Sequence, residues 1–229
     1  MKSFFILIIS FPFYLSAQVV YRTSGGEIIG SFADMLTVNG ADLSNSSRLS
    51  MAFHWHQNSH INFNNNFGLF TGVALRNVGF ISKEDGDRVK RRIYTLGIPA
   101  AIKLGNFREN LFAFGGFEGE LAINYKEKRF RQGKKVEKFN EWFSSRTPIF
   151  LPSFFAGIQF NEGLNFRFKV YLDEILQRNF VEEGTLFSAR PYENLQTNLF
   201  YFSLSYEFET GKRRIGKKSK LEEREKTYF

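Results

Sequence analysis

All three histidines of the chain fall within seven residues, at His54, His56 and His60. His54 and His56 are two positions apart, so on a β-strand both side chains point to one face, a spacing that could ligate a metal ion. With Glu118 or Glu120 nearby, either imidazole could instead act as a general base. The alternative is that they are polar side chains that fill an interior and hydrogen-bond to their neighbours. No serine or aspartate stands out beside them as a nucleophile, so we expect no catalytic residue, metal or cofactor.

The segments that must position these side chains alternate between apolar and polar residues. In Leu164–Leu172, one face carries leucine, phenylalanine and valine, and the other carries asparagine, arginine, lysine and tyrosine. Successive side chains of a strand point to opposite faces, so this period-two pattern predicts strands with one apolar and one polar face. On the segment that begins at Leu111, the count places Leu121 and Tyr125 outward. The seven predicted strands are Arg48–Gln57, Phe67–Phe80, Ile93–Leu104, Leu111–Lys126, Phe150–Phe160, Leu164–Leu172 and Asn198–Phe208.

An eighth strand is expected because bacterial barrels normally have an even number of strands. Glu27–Val38 is the only candidate before Arg48, although its alternation is poor. A soluble β-sandwich or lipocalin-like barrel is the rival fold, but it would place the phenylalanine-rich face inside. We therefore expect an all-β protein, a transmembrane up-and-down antiparallel β-barrel of eight strands. Short turns at 105–110 and 161–163 would face the periplasm, and longer connections near 39–47, 81–90, 127–148 and 173–197 would face outward.

Seven charged side chains project into the predicted lumen, together with His54 and His56. The interior of an eight-stranded barrel is just wide enough for side chains to fill it, and isolated charge there is costly. We therefore expect acids on one strand to pair across the lumen with bases on another and to plug the barrel. A narrow polar conduit for ions or small solutes is the alternative. The predicted lumen charge network consists of Arg76, Lys103, Glu118, Glu120, Arg167, Lys169 and Glu207.

Residues 1–17 have the layout of a cleaved signal peptide, with Lys2, the apolar run Phe4–Leu15 and a small-residue end at Ala17. The apolar run is shorter than the roughly 20 residues that a membrane-spanning helix needs. We expect export to the outer membrane, with the barrel over 18–210 and a charged periplasmic tail over 211–229. The chain contains no cysteine, which excludes disulfides and thiolate metal sites.

Basic residues give the chain a formal net charge of +8, and they lie mainly in the predicted loops and tail. We expect no nucleic-acid partner, because an exported protein rarely meets nucleic acid. The loops at 83–92 and 126–138 are strongly basic. Their side chains could pair with the phosphates of lipopolysaccharide, for which arginine is well suited. The alternative is an ordinary solvated loop. The expected partners are outer-membrane lipid, including lipopolysaccharide phosphates, and an envelope protein complex.

Three runs of the sequence resemble small outer-membrane β-barrel proteins of Bacteroidota, the PorT-like group. They are LGIPAAIK at 96–103, which has the form L-x-I-P-x-x-x-K, FAGIQF at 155–160 and the closing segment Tyr201–Phe208. The resemblance covers roughly residues 45–210, and its motifs are structural and contain no catalytic residue. Residues 211–229 depart from it, since many barrels end at the final aromatic residue.

These observations predict a non-enzymatic outer-membrane barrel, porin-like or structural, that supports the envelope or a partner complex. A barrel hydrolase or acyltransferase that acts on lipid through His54 or His56 is one alternative. A narrow channel for small solutes is the other.

Overall fold

The computed structural model describes residues 19–37, 45–84, 86–161, 163–182, 190–193 and 195–214. The predicted signal peptide and residues 215–229 of the predicted tail lie outside this part of the chain. The strands are β1 Val19–Thr37, β2 Asn45–Ser46, β3 Arg48–Ser50, β4 Trp55–Asn62, β5 Phe67–Glu84, β6 Asp87–Asn106, β7 Leu111–Arg131, β8 Lys134–Trp142, β9 Phe150–Phe160, β10 Leu164–Tyr171 and β11 Leu195–Arg214. No helix in the described ranges is long and apolar enough to cross a membrane.

The sheet closes into a barrel because its first and last strands pair with each other. β1 is antiparallel to β11 along its whole length, from Val19 opposite Arg214 to Thr37 opposite Leu195. Eight strands form the ring in the order β1, β4, β5, β6, β7, β9, β10 and β11. The predicted eight-stranded antiparallel barrel is confirmed, and the poorly alternating segment Glu27–Val38 supplies the second half of β1 up to Thr37. β11 continues to Arg214, four residues into the predicted tail.

The two ends of the barrel differ in their connections. The short-turn end carries the turns at 63–66, 107–110 and 161–163, and the long-loop end carries the segments between β8 and β9 and between β10 and β11. Two predicted loops are wrong, because the strands continue through most of 81–90 and 127–148. β5 and β6 meet in a tight hairpin, and β7 and β8 form a second hairpin. Its two-residue turn, Gln132 and Gly133, has φ angles of 48° and 80°, as such hairpins require.

An apolar belt of exposed side chains surrounds the barrel between its two ends. On β6, Leu96, Ile98, Ile102 and Leu104 are 43–62% exposed, while the intervening Lys103 is fully buried. On β10, the exposed Phe166, Phe168 and Val170 alternate with buried Arg167 and Lys169 in the same way. Apolar side chains therefore point outward over this region and most charged side chains point into the lumen.

The face predicted for Tyr125 on β7 is wrong, because the strand contains a β-bulge. Thr95 of β6 pairs with Ala122, whereas the adjacent Tyr94 pairs with Asn124, so Ile123 is one extra residue. An extra residue reverses which face each following side chain occupies. Tyr125, predicted to point outward, is therefore buried in the lumen at 1% exposure.

Apolar side chains fill both halves of the lumen around the buried charges, which the period-two count did not predict. Phe70, Phe112, Phe114 and Phe155 pack together in the half near the short-turn end. The other half holds a larger apolar cluster that includes three side chains from the connection between β10 and β11. These capping side chains are Ile175, Leu176 and Tyr192.

The cap is tied to the barrel by hydrogen bonds. The Ile175 N–H donates to the Thr197 carbonyl at 3.2 Å, and the Leu176 N–H donates to the Thr197 hydroxyl at the same distance. Arg146, from the segment after β8, donates to the Tyr192 hydroxyl at 3.1 Å and to Glu182 at 2.6 Å. The long-loop end of the lumen is therefore covered by packed side chains.

Deleting Ile123 should leave the faces of β7 unchanged, because removing the extra residue closes the bulge while Tyr94 still pairs with Asn124 and Tyr125 stays in the lumen. We expect the free energy of unfolding in detergent to fall by less than about 1 kcal/mol in urea titrations. Deletion of Gly119, which pairs regularly with Ile98, is the contrasting variant. It would turn Glu120 outward, away from Lys169, and should cost about 3 kcal/mol or more. Equal losses would mean that Ile123 is not the extra residue of the bulge.

Candidate functional site

The centre of the lumen holds a cluster of buried ion pairs, which we call the central cluster. Arg76 donates from Nε to Glu27 Oε1 at 2.5 Å and from Nη1 to Glu118. Lys169 donates from Nζ to Glu118 Oε2 at 2.7 Å and also bonds to Glu120. All five side chains are at most 1% exposed. Each charge therefore has an opposite charge within hydrogen-bond distance, as a buried ion must.

The barrel brings the central cluster together from four strands. Glu118 and Glu120 lie two residues apart on β7, so they share the inner face. Glu27 comes from β1, Arg76 from β5 and Lys169 from β10. Gly97 on β6 leaves room for the acids, since a Cβ at this position would collide with Glu118 Oε1 and lie 3.0 Å from Glu120 Cγ.

Arg167 lies in the lumen but does not pair as the sequence analysis expected. Its guanidinium lies over the rings of Phe114 and Phe155, 5.5 and 5.0 Å from their centroids. Its Nε has no hydrogen-bond partner among the residues that the structure describes. Glu118 instead takes Arg76 and Lys169 as partners. Cation–π contact of this kind holds a buried arginine without a direct carboxylate.

Glu207 is the centre of a second polar cluster nearer the short-turn end. Its carboxylate accepts hydrogen bonds from the Thr23 hydroxyl at 2.5 Å and the Asn58 amide at 3.3 Å. His56 Nε2 lies 3.1 Å from Glu207 Oε1, and His60 Nε2 lies 3.8 Å from Oε2. His56 is therefore next to Glu207, and neither Glu118 nor Glu120 is its partner as the sequence analysis envisaged.

Lys103 joins this second cluster through His60. Its Nζ is 2.8 Å from the Tyr21 hydroxyl and 3.2 Å from His60 Nδ1. The same ammonium lies 4.7 Å from the ring centroids of Tyr21 and Phe107, and 5.0 Å from that of Phe112. Aromatic faces thus surround the ammonium group, and cation–π contact stabilises its charged form.

His54 is separated from the other histidines by a break in the predicted strand Arg48–Gln57. β3 ends at Ser50 and β4 begins at Trp55, and Phe53 between them has a φ of 63°. His54 Nδ1 accepts the Asn77 N–H at 3.3 Å, and its Nε2 lies 2.8 Å from the Ser50 hydroxyl. His54 therefore replaces a missing backbone partner of β5, as buried amides require.

The proposed ligation by two adjacent histidines is not supported by this geometry. His54 and His56 have different partners, and no group of three or more side chains suited to hold a metal ion occurs within the described ranges. A cavity of about 710 Å³ opens beside the second cluster at the short-turn end. Its lining includes Tyr21, Thr23, Asn62, Gln159 and Glu207.

A third ion-pair cluster lies at the long-loop end. Arg91 donates to Glu127 at 3.0 Å, to Glu84 at 2.9 Å and to the Ser82 hydroxyl at 2.9 Å. The Tyr125 hydroxyl donates to the same Glu127 at 2.6 Å. Burial alone would raise the pKa of Glu84, but the hydrogen bond and charge of Arg91 hold that pKa below its ordinary value. These pairs fix the inner face of the hairpins beyond the belt.

Several residues of these clusters were missed by the sequence analysis. Glu27 follows two glycines and precedes Ile28 and Ile29, so its position in an alternating pattern was obscured. Arg91 was read as part of a basic loop because it lies between Lys90 and Arg92. A longer predicted strand would have included Val89, Arg91 and Ile93, which are buried and alternate with partly exposed neighbours.

No protein-family model matches this chain, and no curated protein matches its sequence. Among solved structures, it is similar to Ail, the attachment invasion locus protein of Yersinia pestis, with a TM-score of 0.38, 13% identity and coverage of 84% of this chain and 99% of that one. Neisserial surface protein A is similar with a TM-score of 0.35, 8% identity and coverage of 82% and 97%. The outer membrane protein OprG from Pseudomonas aeruginosa is similar with a TM-score of 0.37 and 10% identity, over 84% of this chain and 97% of that one.

The pairing in the central cluster can be tested with a double-mutant cycle. Glu118→Gln should lower the free energy of unfolding by about 3–5 kcal/mol, because it removes one partner of a buried pair. Adding Lys169→Met should restore part of the loss, giving a coupling of about 1–3 kcal/mol between these two positions. The matched cycle uses Arg167→Met, also on β10, and should give a smaller coupling with Glu118→Gln. Denaturant unfolding in micelles measures both, and a larger coupling to Arg167 would contradict the assigned pairs.

Proposed function

We propose that this protein is a non-enzymatic outer-membrane β-barrel whose lumen is sealed by ion pairs, and that it supports the envelope or a partner complex. The central cluster is the observation that carries this proposal. Its charges come from four strands and contact one another in the middle of the lumen. A lumen filled in this way leaves the outer surface and the two ends of the barrel to make contacts with other molecules.

The apolar belt supports the membrane location. From Leu96 to Leu104 the outward side chains of β6 extend over eight residue steps, and at about 3.3 Å per step with a tilt of about 40° this gives roughly 20 Å. Outer-membrane barrels carry an apolar band of about 25 Å. So large a continuous apolar surface would make a protein in water aggregate. The expected signal peptide over residues 1–17 is consistent with export, and lipid is the first partner of such a surface.

The resemblance to the PorT-like group of Bacteroidota supports the same proposal. Within the run 96–103, Leu96 and Ile98 point outward and Lys103 is buried in the second cluster. Pro99 lies between them, and its carbonyl accepts a hydrogen bond from the Thr71 hydroxyl at 2.7 Å. The residues that carry the resemblance are thus the ones that build the barrel wall and its interior.

The two alternatives have less support in the geometry. A lipid hydrolase or acyltransferase needs an accessible base, whereas His56 and His60 are buried at 1% and 3% exposure, and His54 accepts a backbone N–H. A small-solute channel needs a continuous path. Solute that enters the cavity at the short-turn end would meet the Glu207 cluster and then the central cluster. We therefore favour the sealed barrel over both.

A charge placed in the belt should impair membrane insertion. Phe168→Arg is expected to reduce the free energy of unfolding in lipid vesicles by about 2–4 kcal/mol, because the guanidinium would face acyl chains near the midplane. Val136→Arg is the matched control, since Val136 is exposed on the β7–β8 hairpin beyond the belt. It should change stability by less than about 0.5 kcal/mol. A silent Phe168→Arg would argue against lipid contact at this face.

The sealed lumen predicts that the unmutated full chain is silent in planar bilayers. Insertion of each sample is verified independently by protease protection in vesicles of the same lipid. We expect no stable conductance steps from inserted protein, because the ion pairs fill the cross-section. A reproducible open-channel signal would refute the seal and would favour the small-solute channel.

A further inference from the structure

Basic side chains form a regular grid on the outer face of β6, β7 and β8, beyond the apolar belt. Lys90 pairs with Lys128, which pairs with Lys138, and two residues nearer the belt Arg92 pairs with Lys126. Side chains of directly paired residues lie on the same face of a sheet. The backbone positions that carry the cations are therefore about 4.8 Å apart from strand to strand and about 7 Å apart along each strand. We call these five residues the basic grid.

Among the residues that the structure describes, no ion pair joins the basic grid to an acid. The nearby acids have other partners: Glu127 bonds to Arg91, Glu137 lies 3.7 Å from Arg129, and Asp87 bonds to Arg131 near the hairpin tip. Like charges placed opposite each other on adjacent strands are destabilising. Burial and the neighbouring cations together lower the pKa values of Lys90 and Lys128. An anion bound across the grid would relieve this repulsion.

Aromatic side chains separate the basic grid from the belt. Tyr94 follows Arg92 on the outward face of β6, and the next outward residue is Leu96. Phe53 packs edge-on against Tyr94 with ring centroids 6.0 Å apart, and Lys126 Nζ lies 5.6 Å from the Tyr94 ring centroid. Trp142 on β8 is exposed at the same level of the ladder. Aromatic rings at this boundary are typical of the membrane–water interface, which puts the grid at headgroup depth.

We propose that the basic grid binds the phosphate groups of the phosphorylated glycolipid of the outer leaflet, the lipid A part of lipopolysaccharide. The proposal rests on the outer-membrane location proposed above. Lysine and arginine in two adjacent rows supply charge-assisted hydrogen bonds to phosphate oxygens, and the belt below accepts the acyl chains. A lipid is favoured over a soluble polyanion because the grid is continuous with the aromatic and apolar surface. In addition, the grid residues on β6 and β7 are half-buried.

The bulge in β7 is what creates this surface. If Ile123 instead took a regular place in the ladder, the outward positions of β7 would be Tyr125 and Glu127 in place of Lys126 and Lys128. Glu127 would then lie among the cations of β6 and β8 and neutralise them. The bulge therefore places Glu127 on the inner face of β7 and Lys126 and Lys128 on its outer face.

The test compares two double variants of the full chain in detergent. Lys90→Gln with Lys128→Gln removes the middle of the grid, and Lys134→Gln with Lys135→Gln removes the same charge at the hairpin tip. Native mass spectrometry measures binding of bisphosphorylated lipid A and of dephosphorylated lipid A. Each basic side chain near an anionic lipid surface changes affinity by about fivefold, so the grid variant should lose about tenfold or more for the bisphosphorylated lipid. The tip variant should stay within about twofold.

The grid variant should fold, because it removes repulsion and no buried partner, and circular dichroism checks this. Equal losses in the two variants, or equal binding of phosphorylated and dephosphorylated lipid A by the wild type, would overturn the proposal. Grid-dependent binding of soluble heparin that exceeds binding of lipid A would overturn it in favour of a soluble polyanion. A chain that integrates into vesicles but shows no preference for phosphorylated lipid A would overturn the proposal for the basic grid and leave the membrane location standing. Failure to integrate would overturn the membrane location as well.

Discussion

Charge balance inside the lumen is the constraint on which the rest of the structure depends. Three carboxylates and three cations share the middle of the barrel, namely Glu27, Glu118, Glu120, Arg76, Arg167 and Lys169. A buried charge that loses its partner costs several kcal/mol, so strand registers that move one member out of reach are disfavoured. The register of β7 against β6, the glycine at position 97 and the pairing of β1 with β11 all place these groups within reach of one another. The barrel is therefore specified from inside as much as by its apolar exterior.

The sequence predicts the faces of a strand well where the strand is regular. On β10 and on most of β6, the period of two correctly separates the exposed apolar residues from buried Arg167, Lys169 and Lys103. The prediction fails where geometry departs from that period, as at the bulge at Ile123 and at the break between Ser50 and Trp55. Both depend on how the neighbouring strands pair, which local composition does not encode.

The sequence also does not predict which side chains pair with each other across the lumen. Alternation indicates that a side chain points inward, but the depth at which it meets another depends on the tilt and stagger of the strands. Glu118 meets Lys169 and not Arg167, although both bases lie on the same face of β10. The apolar filling was hidden for a related reason, because Val78 and Phe80 lie in a part of β5 where consecutive residues are buried on both faces.

Closure of the ring between β1 and β11 has a consequence for how the protein folds. Glu27 reaches Arg76 from the first strand of the ring, while the last strand carries Glu207, whose partners Thr23 and His56 lie on β1 and β4. In the membrane location proposed above, a partly assembled sheet would leave these charges facing hydrocarbon. The stable intermediates of assembly are thus restricted to states outside the hydrocarbon, and insertion and closure become a single cooperative event. Contacts between residues about 180 positions apart make such an event intrinsically slow.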